Sequence, residues 1–344
     1  MADLIDPDLA ARLDALDVRS RKVFAGKLQG ERRSKRRGKS VDFDDYREYV
    51  PGDDLRHLDW NVFARLDRFF IKVFQEEEDL ALHLVIDASE SMNAGVPNKL
   101  LFAARLAMAL GYVGLVNNNR VAVSVLGGPG PRRSAGMERL EAVRGRRNVP
   151  RLAQFLTDAM FGTVREESGA LIDADRPTAT AQPAVEFAAA CRLIAAAPLG
   201  KGVTLVLSDL LLPPLPGPKP EAGYCAGLRL LAGLTSSDVH LLQILSPGEI
   251  DPAAERSSLS GDSTDGGVPA ILGDLRLTDA ETGRTAEVTV TLALLERYRV
   301  AARRYVDDAR AFCLARGISH ALTPSDSPIN ALLLDELRRR GVLA

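Results

Sequence analysis

Nearly continuous runs of apolar residues recur along the middle of this chain, separated by stretches with helical periodicity. The apolar runs lie at 80–87, 120–126, 203–209 and 239–245. The stretches with apolar residues at helical spacing lie at 99–116, 148–160 and 184–197. Such runs are typical of strands buried on both faces of a parallel sheet, and their alternation with helices indicates βαβ units. The pattern therefore predicts a doubly wound α/β fold with a mostly parallel sheet and helices on both faces.

The two ends of the chain add elements to this core. Further helices are predicted at 7–24, 292–316 and 328–340, and further strands at 69–74 and 318–323. Alternation on both sides of residues 281–283 predicts a β-hairpin outside the main sheet. Pro-rich residues 211–220 and Ser/Gly-rich residues 247–270 are expected to be loops. We therefore expect an N-terminal segment, 1–78, that packs on a domain at 79–344 with insertions at 211–224 and 247–291.

Composition is that of an ordinary globular protein and excludes several functional classes. The 344 residues are 46% hydrophobic and 26% charged, with a net charge of -2, so no overall field favours nucleic acid or a membrane surface. Three widely spaced cysteines indicate neither a disulfide framework nor a metal site. The acidic N-terminus does not resemble a signal peptide, and no apolar run reaches the roughly 18 residues of a membrane span. We expect a cytoplasmic protein.

A basic run from Arg32 to Lys39 precedes an acidic stretch that ends at Asp54. The two blocks are either solvated charges that neutralise each other, or a basic patch for an acidic partner. Binding of nucleic acid through residues 19–39 is a weaker alternative. The neighbouring acids oppose it, and Phe24 is the one aromatic residue in that segment.

Oxygen-bearing side chains follow two of the predicted buried strands. Asp87, Ser89 and Ser91 stand at the end of the first strand, and Asp209 ends the third. Parallel strands bring their carboxyl ends to one edge of the sheet, where ligands bind in such folds. Carboxylate and hydroxyl oxygens suit Mg²⁺, Mn²⁺ or Ca²⁺. The alternative is that these residues merely cap the next helix.

The motif Asp87-Ala88-Ser89-Glu90-Ser91 resembles the metal-ion-dependent adhesion site of von Willebrand factor A domains. The segment from Arg47 to Trp60, followed by Ala64-Arg65, is similar to the signature of the bacterial domain-of-unknown-function 58 family, and the resemblance covers about residues 26–335. It implies a von Willebrand factor A-like fold and a MoxR-type AAA+ ATPase partner in chaperone-like assembly or maturation of a client protein. It also implies a threonine ligand, for which Thr178 is preferred over Thr180.

The N-terminal signature has two interpretations: internal packing of its aromatic and charged residues, or a surface that docks a partner. In the second, the expected ATPase contacts this segment and the basic run before it. The candidate partner-binding residues are Arg32, Arg33, Lys35, Arg36, Arg37, Arg47, Asp53, Asp54, Arg56, Asp59 and Trp60.

An enzymatic function is the remaining alternative, a magnesium-dependent hydrolase or phosphotransferase with Asp87 as nucleophile. Ser89 stands where phosphoaspartate enzymes generally have a second carboxylate, and the chain has no Walker-type phosphate loop. His83 and His240 lie within predicted strands and are expected to be core residues. We therefore favour a non-enzymatic, metal-dependent protein-interaction module.

Overall fold

A computed structural model of the protein describes most of the chain. The described residues are 7–20, 43–51, 55, 58–74, 80–127, 136–162, 183–197, 200–214, 221–252, 272–279 and 284–344. The chain divides into two compact units, a smaller one at Gly26–Asp79 and a larger one that joins Met1–Ala25 to Leu80–Ala344.

Strands and helices alternate along the described residues. The strands are β1 (Phe43–Glu48), β2 (Phe70–Phe74), β3 (Ala81–Asp87), β4 (Arg120–Leu126), β5 (Met137–Arg144), β6 (Gly202–Ser208), β7 (Ser237–Leu245), β8 (Gly273–Thr278), β9 (Thr285–Val290) and β10 (Ser319–Pro324). The helices are α1 (Pro7–Leu13), α2 (Trp60–Leu66), α3 (Lys99–Val116), α4 (Val149–Phe161), α5 (Pro183–Ala196), α6 (Tyr224–Ala232), α7 (Pro247–Ile250), α8 (Leu292–Leu314), α9 (Ile329–Ala331) and α10 (Leu337–Arg339).

The larger unit is built on one sheet, whose described strands run in the order β10-β7-β6-β3-β4-β5. Neighbouring strands are parallel throughout, except that the edge strand β5 is antiparallel to β4. The predicted α/β architecture with a mostly parallel central sheet is confirmed. As expected, β8 and β9 form a hairpin outside this sheet.

Apolar side chains on both faces of the sheet are covered by helices. Leu82, Leu84 and Ile86 of β3 belong to one core, with residues of α1, α3, α4 and the C-terminal helices. Val85, which points to the opposite face, belongs to a second core with residues of α5, α6 and α8. Burial on both faces explains why the central strands are nearly continuous apolar runs.

Among the described residues, one helix, α3, is long and apolar enough to cross a membrane, with a mean hydropathy of 1.6. Of the residues in this helix, 83% are buried within the protein, and Leu106 and Leu110 are fully enclosed. Burial in the core accounts for this composition.

The expected helix at 7–24 is wrong in its extent, because α1 ends at Leu13. Residues 17–19 instead pair with the C-terminus, where Arg19 N donates to Val342 O at 2.8 Å and Ala344 N donates to Asp17 O at 2.8 Å. Leu16, which follows Leu9 and Leu13 at helical spacing, is buried beyond the end of α1, so its place in that pattern does not reflect a continuing helix. Residues 21–24 lie outside the described residues.

Several other helices and strands of the structure were not indicated by the sequence pattern. Strands β1 and β5 and helix α6 were not predicted, and α7 lies where a loop was expected. Ser246 and Glu249 form a capping box at the start of α7. The reciprocal bonds of such a box stabilise even a short helical turn.

The smaller unit pairs β1 with β2 antiparallel and places α2 before β2. Asp59 caps α2 by accepting bonds from Asn61 N at 2.8 Å and Val62 N at 3.2 Å. Phe63 of α2 stacks on Phe69 with ring centroids 4.4 Å apart. Aromatic contacts therefore supply much of the packing that the described part of this unit shows.

Candidate functional site

The turn that follows β3 gathers the three oxygen-bearing side chains of the predicted metal motif. Ser89 N donates to Asp87 Oδ1 at 3.1 Å, and the hydroxyls of Ser89 and Ser91 share a hydrogen bond of 3.1 Å. All three side chains are buried or nearly so. The sequence motif thus forms a compact cluster at the carboxyl edge of the sheet.

Helix capping does not account for these serines. Ser89 precedes the described 3₁₀ turn Glu90–Asn93, but its side chain makes no capping bond there. The long helix α3 is capped by Asn98, whose Oδ1 accepts from Leu101 N at 3.0 Å. The position of Ser89 and Ser91 at the sheet edge is therefore not explained by capping of the described 3₁₀ turn or of α3.

Asp209 joins the cluster because β6 is the direct neighbour of β3 in the sheet. Ser208 Oγ donates to Asp87 Oδ2 at 2.6 Å, which ties the ends of the two strands together. Leu211 N donates to Asp209 Oδ1 at 2.9 Å. Between them, Leu210 has a left-handed backbone with φ of 62°, which costs a non-glycine residue about 1 kcal/mol or more. Strain of this kind often accompanies functional sites.

Burial and charge both act on the Asp87 carboxyl. Burial raises its pKa to about 6, and the negative charge of Asp209 adds to the rise, while bonds from Ser208 and Ser89 oppose it. Among the described residues, no Lys, Arg or His forms an ion pair with Asp87. A cation next to Asp87 would favour its charged form. The oxygen donors and the uncompensated charge therefore fit a hard divalent cation such as Mg²⁺.

Lys99 and Glu249 belong to the same site, although sequence reasoning missed both. The Lys99 side chain is fully buried, and its Nζ donates to Asp209 Oδ2 at 2.7 Å and to Glu249 Oε1. Glu249 is held in turn by Ser246 N, which donates to its Oε2 at 2.8 Å. The sequence did contain one indication of Lys99. A lysine in the first turn of an apolar helix is unfavourable with the helix dipole, so its presence there suggests a nearby acidic partner.

The other predicted metal ligand, Thr178, and its alternative, Thr180, lie outside the described residues. Among the described residues, no group of three or more His, Cys, Asp and Glu side chains is placed to hold a metal ion. Any metal at the end of β3 would therefore depend on the serine hydroxyls as well as on carboxylates.

The candidate partner-binding residues are described only in part. Arg47 lies in β1, while the rest of the set apart from Asp59 and Trp60 lies outside the described residues. Asp59 has an internal role, since it caps α2 and accepts a bond of 2.9 Å from the Tyr46 hydroxyl. Trp60, in contrast, is 64% exposed within the described chain. Asp59 therefore has a structural role within the smaller unit, whereas the side chain of Trp60 is exposed.

The histidines expected in the core are found there. His83 is buried and shares a hydrogen bond of 2.9 Å with the Ser124 hydroxyl. Burial, assisted by the charge of Arg139, lowers the pKa of His83 to about 3. His240 is also buried in β7. A histidine that stays neutral inside the sheet stabilises packing and is a poor candidate for acid–base chemistry at the sheet edge.

Comparisons with known proteins identify relatives without an assigned activity. A family model described as "Protein of unknown function DUF58" matches residues 45–249. Uncharacterized proteins of Mycobacterium bovis and Mycobacterium tuberculosis are each 26% identical over 349 residues, covering 99% of this chain and 93% of theirs.

One solved structure with a matching region is the pilus adhesin SpaC from Lactobacillus rhamnosus GG, with 9% identity and a TM-score of 0.39. The match covers 89% of this chain but only 37% of the adhesin. Likeness at this level carries no argument about function.

Proposed function

We propose a function from the residues of the candidate site. The chain belongs to the family described as "Protein of unknown function DUF58", and that description names no activity. The protein is a non-enzymatic, metal-dependent protein-interaction module that acts in the cytoplasm. The observation that carries this proposal is the cluster of Asp87, Ser89 and Ser91 around a buried carboxylate with no cationic partner among the described residues.

The domain that carries the site is von Willebrand factor A-like. The sequence resemblance at Asp87 to Ser91 supports this, as does the mostly parallel sheet with helices packed on both faces. The position of the motif also supports it, because ligands of doubly wound sheets bind at the carboxyl edge.

Asp87, Ser89 and Ser91 hold the cation, with Asp209 as a second carboxylate and Thr178 as a further oxygen donor. When bound, the ion supplies an electrophilic position that accepts a carboxylate from another protein. The chain's own residues orient this position: Ser208 fixes Asp87, and Gly127 packs closely against the backbone of Ser89. One oxygen from each of the five proposed ligand side chains would leave one position of the Mg²⁺ octahedron open for an oxygen of the partner.

The partner is a MoxR-type AAA+ ATPase, with which the protein acts as an adaptor in chaperone-like assembly or maturation of a client. The family resemblance supports this choice of partner. Exposed Trp60 supports a second contact through the smaller unit, because aromatic residues dominate the energetics of protein interfaces.

The test uses the purified protein and the MoxR-type ATPase from the same genome. Surface-immobilised ATPase is titrated with this protein in Mg²⁺ and in EDTA. Binding in Mg²⁺ that weakens at least about tenfold in EDTA is expected, and the Ser91→Ala variant should lose most of the difference. A folded wild type whose affinity is equal in Mg²⁺ and in EDTA would contradict the metal-dependent interaction.

A further inference from the structure

We propose that Lys99 is an internal counter-ion that competes with the bound cation for Asp209 and so sets the metal affinity of the site. This inference rests on the proposed metal site and names the residue that regulates it. Its basis is the position of the Lys99 ammonium between two carboxylates, Asp209 and Glu249.

The ammonium of Lys99 contacts Asp209, the carboxylate proposed as a second ligand of the cation. Nζ is 2.7 Å from Asp209 Oδ2, and the side chains of both residues are fully buried. A buried ammonium requires compensating charge, which explains its close contacts with acids. Asp209 Oδ1 already accepts from Leu211 N at 2.9 Å. Each oxygen of Asp209 therefore already accepts one hydrogen bond, and a cation that binds Oδ2 competes with the Lys99 ammonium for the negative charge of that carboxylate.

Glu249 gives the displaced ammonium another carboxylate. Its Oε1 accepts from Lys99 Nζ, and its Oε2 is fixed by Ser246 N at 2.8 Å within the capping box of α7. The Tyr298 hydroxyl of α8 donates to the backbone oxygen of Glu249 at 2.9 Å. Because Glu249 is held from several sides, Lys99 can leave Asp209 while it keeps one ion pair.

The charges of the cluster match one divalent cation. Asp87, Asp209 and Glu249 bring three negative charges against the one positive charge of Lys99, which leaves two when all are ionised. One Mg²⁺ neutralises that remainder. With Lys99 removed, three negative charges face the cation, and its attraction to the site increases because the interior screens charge weakly.

The first experiment compares wild type with Lys99→Met, a substitution that keeps a long, unbranched side chain and removes its positive charge. Mg²⁺ is titrated into metal-free protein by calorimetry, and thermal unfolding is recorded in EDTA and in Mg²⁺. The variant should bind Mg²⁺ about tenfold more tightly or better. It should also have a lower Tm in EDTA and a larger rise in Tm with Mg²⁺, because Asp209 and Glu249 lose their counter-ion.

The matched control is Lys201→Met, which removes an exposed lysine just before β6, at the opposite end of that strand from Asp209. Its Mg²⁺ affinity should equal that of wild type. An equal gain in Lys201→Met would attribute the effect to overall charge and overturn the role of Lys99. Wild-type affinity, or weaker binding, in folded Lys99→Met would overturn it as well.

A second variant keeps the inference testable if Lys99→Met fails to fold. Glu249→Gln preserves a hydrogen-bond acceptor for Ser246 N but leaves Lys99 with Asp209 as its one charged partner in the part of the chain that the structure describes. Mg²⁺ should then bind several-fold more weakly than to wild type. Unchanged affinity would overturn the competition. Absence of binding in wild type, Lys99→Met and Glu249→Gln alike would instead refute the proposed metal site itself, which separates the two failures.

Discussion

The Ser208 hydroxyl links two strand ends, because its Oγ donates to Asp87 Oδ2 at 2.6 Å and accepts from Leu210 N at 2.9 Å. The ionised carboxylate can only accept, so the Ser208 hydroxyl proton points to Asp87 while a lone pair of Oγ accepts from the amide. The carboxylate is thereby oriented by β6, although it belongs to β3. This relationship makes the geometry of the site depend on strand pairing as much as on the local motif.

Replacement of Ser208 should therefore destabilise the fold. In Ser208→Ala, the buried Asp87 carboxyl loses a donor and Leu210 N loses its acceptor, so we expect a loss of about 1–3 kcal/mol. Urea unfolding in EDTA measures it. The control is Thr157→Ala on α4, whose hydroxyl donates to Ala153 O within the helix at 3.0 Å. Equal losses in the two variants would contradict a special role for Ser208.

The raised pKa of Asp87 predicts a distinctive pH dependence for the metal-free protein. The folded pKa of about 6 exceeds the ordinary value of 3.8, so the folded state holds a proton that the unfolded chain releases. That stabilisation is fully present below about pH 3.8 and is lost as the pH rises through about 6, up to about 3 kcal/mol in total. Among the described residues, the charge that acts on the pKa of Asp87 is that of Asp209, which itself pairs with Lys99.

Asp87→Asn isolates this contribution, since it removes the ionisable group at nearly constant shape. In EDTA, the free energy of unfolding of the variant relative to wild type should rise by about 1–3 kcal/mol between pH 4 and pH 8. Urea unfolding at the two pH values measures the difference. A difference that is constant with pH would show that Asp87 does not titrate as the burial of its carboxyl requires.

The sequence predicted the central strands well because their apolar residues are buried on both faces. It missed β5, an edge strand that carries Glu138, Arg139, Glu141 and Arg144 among its apolar positions. Charged residues are common on edge strands, where they discourage further pairing, and they conceal the strand from a search for apolar runs.

The candidate site was predictable where its residues are neighbours in sequence. Asp87, Ser89 and Ser91 form a short motif, and Asp209 follows from the rule that parallel strands end at one edge. Lys99 lies 110 residues from Asp209 and 150 from Glu249, so no local spacing records the contacts among them. Glu249 was further hidden because its segment looked like a loop.

Gly127 lies next to the Asp87–Ser91 motif, where we expect substitution to disturb both the backbone and the proposed metal site. It has φ of 76°, and a Cβ there would lie 3.0 Å from the backbone nitrogen of Ser89. Gly127→Ala should thus combine backbone strain with displacement of Ser89, and should weaken Mg²⁺ binding as well as stability. Gly317→Ala is the control, because its φ is 71° but a Cβ there meets nothing within 4 Å. Equal Mg²⁺ affinity in the two variants would count against a role for the close contact.

Substitutions of Asp59 and Trp60 should have different effects: one on the stability of the smaller unit, the other on binding of the proposed partner. Asp59→Ala removes the cap of α2 and should cost about 0.5–2 kcal/mol, seen as faster amide hydrogen exchange at residues 60–66. Trp60→Ala should change stability by less than about 0.5 kcal/mol, since the side chain is 64% exposed. It should nevertheless weaken binding to the ATPase. Unchanged ATPase affinity in Trp60→Ala would remove this side chain from the proposed interface.

The proposed function requires that the turn after β3 holds a divalent cation. Calorimetric titration of Mg²⁺ into metal-free wild type and Asp87→Ala tests it most directly, with Lys99→Met alongside to relieve competition at Asp209. We predict saturable binding with one ion per chain, tighter in Lys99→Met and abolished in Asp87→Ala. Absence of binding to both wild type and Lys99→Met, or binding that Asp87→Ala leaves intact, would contradict the account.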